Sequence, residues 1–362
     1  MPITFLKSSM IADQNRIIAE DISWIISSEL PWKHLENKTI LVTGGGGFLA
    51  SYIVKSLLDA NKNFDLHLRV VCIARNMQSI QRRLADYLHL EALQIFIHDI
   101  TLPLPDNFPG ADIIIHSASQ ASPKFYGIDP VGTLLANTAG TMYLLEHARK
   151  LGTSKFLFFS SSEVYGSPAN ADKPLTETDF GYLDPMQVRS CYAEGKRMGE
   201  NMCISWLKQH KIPSVVVRPF HTYGPGMALD DGRVFADFVA SAVNKSTVQI
   251  KSDGSAMRAF CYIADATLGF LTVLLQGESG EAYNIGNPEG ELSIKALANL
   301  IVGLYPERNL NIQFDAPATS HYMKSPTNRS CPCIEKVQQI GWQPSILPEE
   351  GFRRTISSFL TM

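Results

Sequence analysis

ILVTGGGGFLASYIVKSLL, residues 40–58, is the stretch on which the fold turns. A short apolar run enters four consecutive glycines, and an apolar pattern at helical spacing leaves them. Gly44-x-x-Gly47-x-x-Ala50 therefore predicts a strand, a tight turn and a helix. The first glycine permits the turn. The second lets backbone N–H groups approach a pyrophosphate, and the small third residue lets helix and strand pack closely. The partial positive charge at the helix N-terminus favours the same ligand. The competing reading is a strand–helix turn that binds nothing. What surrounds the turn favours a dinucleotide.

Outward from the glycines, strands and helices alternate. Strands are predicted over 39–42, 67–74, 93–98, 112–116 and 155–160, and helices over 48–60, 77–88 and 131–151. On the last helix Leu134, Leu135, Thr138, Met142 and Leu145 share one face. Alternation with buried, β-branched strands implies a parallel sheet covered by helices on both sides. Further helices are predicted over 190–209, 234–243 and 293–304, with strands over 214–218 and 248–251. The fold class is thus α/β: a Rossmann-type doubly wound parallel sheet with a smaller C-terminal α/β substrate lobe. Residues 1–37 read as an N-terminal helical extension, 38–220 as mainly the dinucleotide-binding domain, and 221–362 as mainly the substrate lobe, with some segments returning to the sheet. Ile17, Ile18, Ile22, Ile25 and Ile26 recur at helical spacing, so the extension is read as a helix packed on the domain or on a partner subunit.

The bulk properties narrow the function. A net charge of −3 over 362 residues gives no general attraction to nucleic acid or anionic membranes. No apolar run approaches the ~18 residues of a membrane span. Six scattered cysteines and an N-terminus without a secretory pattern lead us to expect reduced thiols and a cytoplasmic location. Cys331 and Cys333 form one C-x-C pair with no second pair, so no metal site is expected.

Three further stretches carry chemistry. In RSCYAEGKRMGE, Tyr192 and Lys196 lie four residues apart, on one helix face. An ammonium beside a phenol stabilises phenolate and is expected to lower its pKa from ~10 toward neutrality. Such a phenolate can take a proton from a sugar hydroxyl during oxidation. FFSSSEVYG places Ser161, Ser162 and Glu163 at a strand C-terminus, where these sheets bind ligands. At the end of the second strand an acidic residue is expected for a ribose hydroxyl, yet Ala74-Arg75-Asn76 stand there. Arg75 suits adenine stacking or a 2′-phosphate, so NADP stays open beside NAD. Asp99 ends the third strand, as an adenine contact or a turn residue.

The motifs TGGGGFLA, SSSEVYG, YAEGK and RPFHTYGPG, in this order, resemble the extended short-chain dehydrogenase/reductase family that remodels nucleotide sugars. Within it, ASPKFYGIDPVGTLLANTAGT, RSCYAEGKRMGE, DDGRVFADFV and DGSAMRAFCY resemble blocks of the UDP-glucuronate decarboxylases. The resemblance implies a tightly held nicotinamide cofactor, a homodimer paired through the Tyr192 helix, and work on cell-surface polysaccharide precursors. It implies a catalytic set of Ser161, Ser162, Glu163, Tyr192 and Lys196. Cofactor contacts would be Gly44, Gly47, Phe48, Leu49, Arg75, Asp99, Ile100, Ser117, Ala118, Ser119 and Asn137, with Tyr192 and Lys196. Substrate contacts would be Pro123, Tyr126, Glu163, His221, Arg233, Arg258 and Arg329. The chain departs from the pattern at three places. His221 replaces an asparagine, Arg329 sits one residue off the usual register, and Arg75 replaces an acid. His221 is thus either a substrate contact for a different sugar or a buried structural histidine.

In the decarboxylase chemistry a ketone at carbon 4 makes the neighbouring carboxylate a β-keto acid, which loses carbon dioxide. A 4-epimerase needs only oxidation, rotation and reduction, and these residues suffice for it. A 4,6-dehydratase needs an acid where Ser162 offers only a hydroxyl, so it ranks lower. A non-catalytic NADP-binding sensor, or a dehydrogenase that releases its cofactor, are the remaining alternatives.

Overall fold

A computed structural model of the chain describes residues 16–168, 172–314 and 327–360. A helix over 16–26 (α1) precedes β1 (Thr39–Thr43), α2 (Phe48–Phe64), β2 (Arg69–Ala74), α3 (Met77–Leu84), β3 (Leu93–Ile97), β4 (Ile113–His116), α4 (Pro130–Asn137), α5 (Ala139–Leu151) and β5 (Lys155–Phe159). A short hairpin of β6 (Ser167–Pro168) and β7 (Gly181–Tyr182) leads to α6 (Cys191–His210) and β8 (Ser214–Pro219). Then follow β9 (His221–Tyr223), α7 (Val234–Asn244), β10 (Val248–Ile250), β11 (Met257–Tyr262), α8 (Ile263–Gln276), β12 (Ala282–Ile285), β13 (Glu291–Ser293), α9 (Ile294–Leu304), β14 (Ile312–Phe314), β15 (Arg329–Ser330), α10 (Glu335–Gln338) and α11 (Pro348–Ser357).

Seven strands form one parallel sheet in the order β12-β8-β5-β4-β1-β2-β3. Its central strands are β-branched or aromatic and buried on both faces, as helices on two sides require. The order reverses between β1 and β4, so the crevice beyond their C-terminal ends is where a ligand belongs. β9, β11, β13 and β15 form a second, smaller sheet. The register Phe260↔His221 ties that sheet directly to the chain leaving β8.

The expected alternation and the parallel sheet are present, with local differences. The helix expected over 131–151 is two. The backbone leaves helical geometry at Thr138 (φ −113°, ψ −78°), whose hydroxyl bonds the Leu134 carbonyl. Its expected single face splits: Leu145 is buried, while Leu134 and Leu135 are exposed. The helix expected over 77–88 stops at Leu84 and tightens into a 3-10 turn. β11, α8 and β12 had no signal of their own. α8 (IADATLGFLTVLLQ) is buried on nearly every side, so it lacks the polar stripe that periodicity needs. On α6, Met198 is exposed.

Within α1, Ile17, Ile18, Ile22 and Ile25 are buried, and Ile18, Ile22 and Ile25 join the main core cluster. Asp21 accepts hydrogen bonds from Tyr52 of α2 (3.1 Å), Tyr262 of β11 (2.9 Å) and Arg354 of α11 (2.8 Å). The helix therefore packs on its own chain, where it joins the large sheet's cover to the smaller lobe. The part of the extension before residue 16 lies outside the described residues.

Candidate active site

The glycine turn is closed by packing from three sides. Gly44 has φ +71°, and a Cβ there would lie 2.8 Å from the Ala118 Cα. A Cβ on Gly45 would lie 1.7 Å from the Cys72 sulfur, and one on Gly46 2.3 Å from the Ser79 hydroxyl. Gly47 caps α2 and donates to the Gly44 carbonyl at 2.7 Å. Gly45 and Gly46 are thus as constrained as the two motif glycines. Their partners come from β2 and α3, which spacing alone does not reveal.

A hydrogen-bonded relay lies beneath the turn. The Ala118 N–H donates to Thr43 Oγ1 (3.1 Å), which lies 2.9 Å from His116 Nδ1; His116 Nε2 lies 3.2 Å from Thr141 Oγ1. Thr141 in turn donates to the Asn137 carbonyl. Burial holds the His116 pKa down at about 3, with the Lys196 charge acting in the same direction. One neutral tautomer, with its proton on Nε2, satisfies every member. Thr43 and His116 went unnoticed in the sequence; both are the last residues of their strands, and the register Thr43↔His116 sets them side by side.

A cleft of about 1370 Å³ runs from this turn to the smaller lobe. Gly44, Gly47, Phe48, Leu49, Arg75, Asp99 and Ile100 line it from the ends of β1, β2 and β3. Ser117, Ala118 and Ser119 line it after β4, and Pro123 and Tyr126 from the loop beyond. Ser161, Ser162, Glu163, Tyr192, Lys196, His221, Arg233 and Arg258 complete the set. Two expected residues do not line it. Asn137 is fully buried, donating to the Thr133 carbonyl, and its Oδ1 has no partner among the described residues. Arg329 is gripped by both Glu291 oxygens at 2.7 and 2.8 Å and also bonds the Asp172 carbonyl.

The cleft fits a dinucleotide. The turn has no room for side chains beside the α2 N-terminus, and the Ser119 hydroxyl is buried without a partner among the described residues. Asp99 caps its own turn by accepting from Thr101. Arg75 is exposed, and Asn76 caps α3.

Tyr192 and Lys196 are both buried on α6. The Lys196 ammonium donates to the Phe159 carbonyl at 2.6 Å and sits 5.7 Å from the Tyr192 ring centroid. Burial draws its pKa down to about 7. The phenol departs from the sequence expectation. Burial pushes it up to about 12, and a Ser161 hydrogen bond and the Arg233 charge only partly oppose this, while Glu163 and Asp231 reinforce it. Desolvation of the phenolate outweighs the neighbouring cations.

Two residues absent from the sequence reading complete the centre. Arg189 grips Glu163 with both terminal nitrogens (3.0 and 3.3 Å), and Asp231 pairs with Arg233 at 2.8 Å. Arg189 lies three residues before Tyr192, one turn away, and that spacing was its only signal. His221 is buried, its Nε2 has no partner among the described residues, and burial with the Arg258 and Arg233 charges holds it neutral. Arg258 donates to the carbonyls of Met257, Asn328 and Thr327. Among the described residues no cluster of metal-ligating side chains exists, and Cys331 and Cys333 are free. No described helix is long and apolar enough to cross a membrane.

The model of the NAD dependent epimerase/dehydratase family matches residues 40–286. UDP-glucuronic acid decarboxylase 6 of Arabidopsis thaliana is 35% identical over 317 residues, 87% of each chain. UDP-glucuronic acid decarboxylase 1 of Danio rerio is 34% identical over 90% of this chain and 73% of its own. The solved UDP-glucuronic acid 4-epimerase of Bacillus cereus, in complex with UDP-glucuronic acid and NAD, superposes with a TM-score of 0.75. It is 22% identical and covers 89% of this chain and 98% of its own, a likeness of fold.

Proposed function

The chain belongs to the NAD-dependent epimerase/dehydratase family, and from that premise we propose that it oxidises the sugar of a nucleotide sugar at carbon 4 and decarboxylates a UDP-glucuronate-like substrate. One observation carries the reading: the cleft that holds the glycine turn also holds Tyr192, with Ser161 and Glu163 beside its phenol and Lys196 behind its ring. Bound nicotinamide dinucleotide supplies the two-electron oxidation of the carbinol and its reversal. Tyr192 takes the proton from the carbon-4 hydroxyl and later returns it. Ser161, beside the phenol, offers its hydroxyl to orient that group. Lys196, poised near neutrality, offsets charge on the phenolate. Arg233 and Arg258 receive the diphosphate, a charge-assisted role suited to guanidinium groups. His221 offers a neutral ring nitrogen to the sugar. The 4-ketone makes the carboxylate a β-keto acid. The bond from carbon 5 to the carboxylate breaks and carbon dioxide leaves. The enolate left behind takes a proton from water at carbon 5 before the ketone is reduced back to the carbinol.

The curated relatives support this choice of reaction. Incubating the purified holoenzyme with UDP-glucuronate is expected to release carbon dioxide and leave a UDP-pentose, read by mass spectrometry. The second reading is 4-epimerisation with all carbons kept. It is favoured by Arg329, assigned to substrate by resemblance but held by Glu291 outside the cleft. Inversion of a sugar without carbon dioxide would select it.

The assigned cofactor is NAD, and Arg75 admits NADP. From Leu66 to Ala85 the chain has no carboxylate to meet an unmodified ribose, and Arg75 lines the cleft. We assign a homodimer, because α4 and α6 pack together and leave Val131, Met198 and Ile204 exposed at 65%, 49% and 42%. The six free cysteines suit a cytoplasmic location.

A further inference from the structure

We propose that Arg189 is a positioning residue that sets the proton affinity of Tyr192, by closing a ring of contacts around the phenol and neutralising Glu163 beside it. The inference rests on Tyr192 being the proton acceptor of the reading above. The ring can be followed contact by contact. Arg189 donates to both oxygens of Glu163. The Glu163 backbone N–H donates to Ser161 Oγ at 3.2 Å. The Ser161 hydroxyl stands beside the Tyr192 phenol and favours its ionised form. Tyr192 stacks on Tyr126, ring centroids 5.2 Å apart and planes at 15°. The Arg189 guanidinium lies over the Tyr126 ring, 5.8 Å from its centroid, and closes the circuit. A 3-10 turn over Val188–Ser190 runs straight into α6, so Arg189 and Tyr192 are held by one continuous backbone.

The charges that face the phenol come in pairs. Asp231, from the loop before α7, opposes the phenolate but is paired with Arg233. Glu163, from the turn after β5, opposes it and is paired with Arg189. Lys196 stands one turn along α6. Each carboxylate at the phenol therefore has its own arginine. Removing Arg189 leaves the Glu163 anion uncompensated beside a group that must itself become an anion. The same loss frees one face of Tyr126, against which Tyr192 is stacked.

The test uses holoenzyme carrying Arg189→Met, Arg189→Lys, Glu163→Gln or the Arg189→Met/Glu163→Gln pair. The Tyr192 phenolate is followed by ultraviolet difference absorbance against Tyr192→Phe, with the pH profile of turnover alongside. Arg189→Met is expected to move the midpoint up by about one pH unit. Arg189→Lys, which keeps the charge, stays near the parent. Glu163→Gln moves the midpoint down, and the double variant returns it close to the parent. An Arg189 that only supports the fold would lower thermal stability and rate while leaving the midpoint where it was, and that result overturns the proposal. If Arg189→Met does not fold, a Glu163→Gln midpoint that fails to fall overturns it equally. The absorbance is read without turnover, so a wrong substrate assignment leaves this test intact.

Discussion

At Tyr192 burial outweighs the nearby cation, so the phenol parts with its proton less readily than a free tyrosine and its anion, once formed, takes one back readily. Tyr192→Phe keeps the ring stack on Tyr126 and removes only the transferable proton. We expect turnover to fall by roughly 10²–10⁴-fold while cofactor content, measured in acid extracts, stays unchanged. Arg75 is the matching test at the other end of the cleft. Arg75→Asp supplies the missing carboxylate and is expected to weaken NADP binding at least ~10-fold relative to NAD, since a 2′-phosphate then meets an anion. Titration calorimetry of both dinucleotides checks it. Equal affinities before and after the change would remove Arg75 from ribose recognition.

β1, β4 and α5 meet at His116, which is 1% exposed and hydrogen-bonded on both ring nitrogens. Its folded pKa of about 3 lies below the ordinary histidine value of 6.5. Between those limits the unfolded chain binds the extra proton, so stability is full above pH 6.5 and is lost as pH falls toward 3. The contribution approaches about 1.4 kcal/mol per pH unit. Urea unfolding from pH 7 to pH 4 is expected to show a slope shallower by one proton in His116→Gln. The β1–α2 turn makes a second demand. Gly45→Ala drives a methyl into the Cys72 sulfur and is expected to lose about 1–3 kcal/mol. Adding Cys72→Ala removes that sulfur and should restore part of the loss in thermal melts, whereas an unaltered loss would locate the strain elsewhere.

Across the whole molecule, α1 works as a clamp. Asp21 is 3% exposed, and burial raises its carboxyl pKa against the pull of Arg354, Tyr262 and Tyr52. It bonds α2 on one side and β11 and α11 on the other, so it ties the two sheets' surroundings together. Truncating it to alanine removes the acceptor that Arg354 and two buried phenols share, leaving Arg354 with Glu20 at 3.2 Å and Tyr52 with the Pro225 carbonyl at 3.3 Å. The expected loss is roughly 2–4 kcal/mol for the hydrogen bonds removed, read by denaturant unfolding, with the smaller lobe detaching first by hydrogen exchange. The exposed side of α4 and α6 poses the matching question between copies. Met198→Glu is expected to give a monomer by light scattering, and an unchanged mass would place the subunit contact on another face.

Local order was legible in the residues themselves. Glycine spacing, strand alternation and the Tyr192–Lys196 step are short-range patterns, and a backbone conformation or a helix face follows from them with few alternatives. The chain by itself therefore determined the α/β sheet, the glycine turn and most residues that line the cleft. Tertiary structure decided the rest. It split the 131–151 helix at Thr138, set Cys72 and Ser79 against the glycines, locked Arg329 to Glu291 and paired Arg189 with Glu163. It also reversed the expected direction at Tyr192, because a buried phenolate loses its hydration whatever stands four residues away. Desolvation and the choice of ion-pair partners depend on surfaces brought together from distant parts of the chain, and no spacing along the sequence records them.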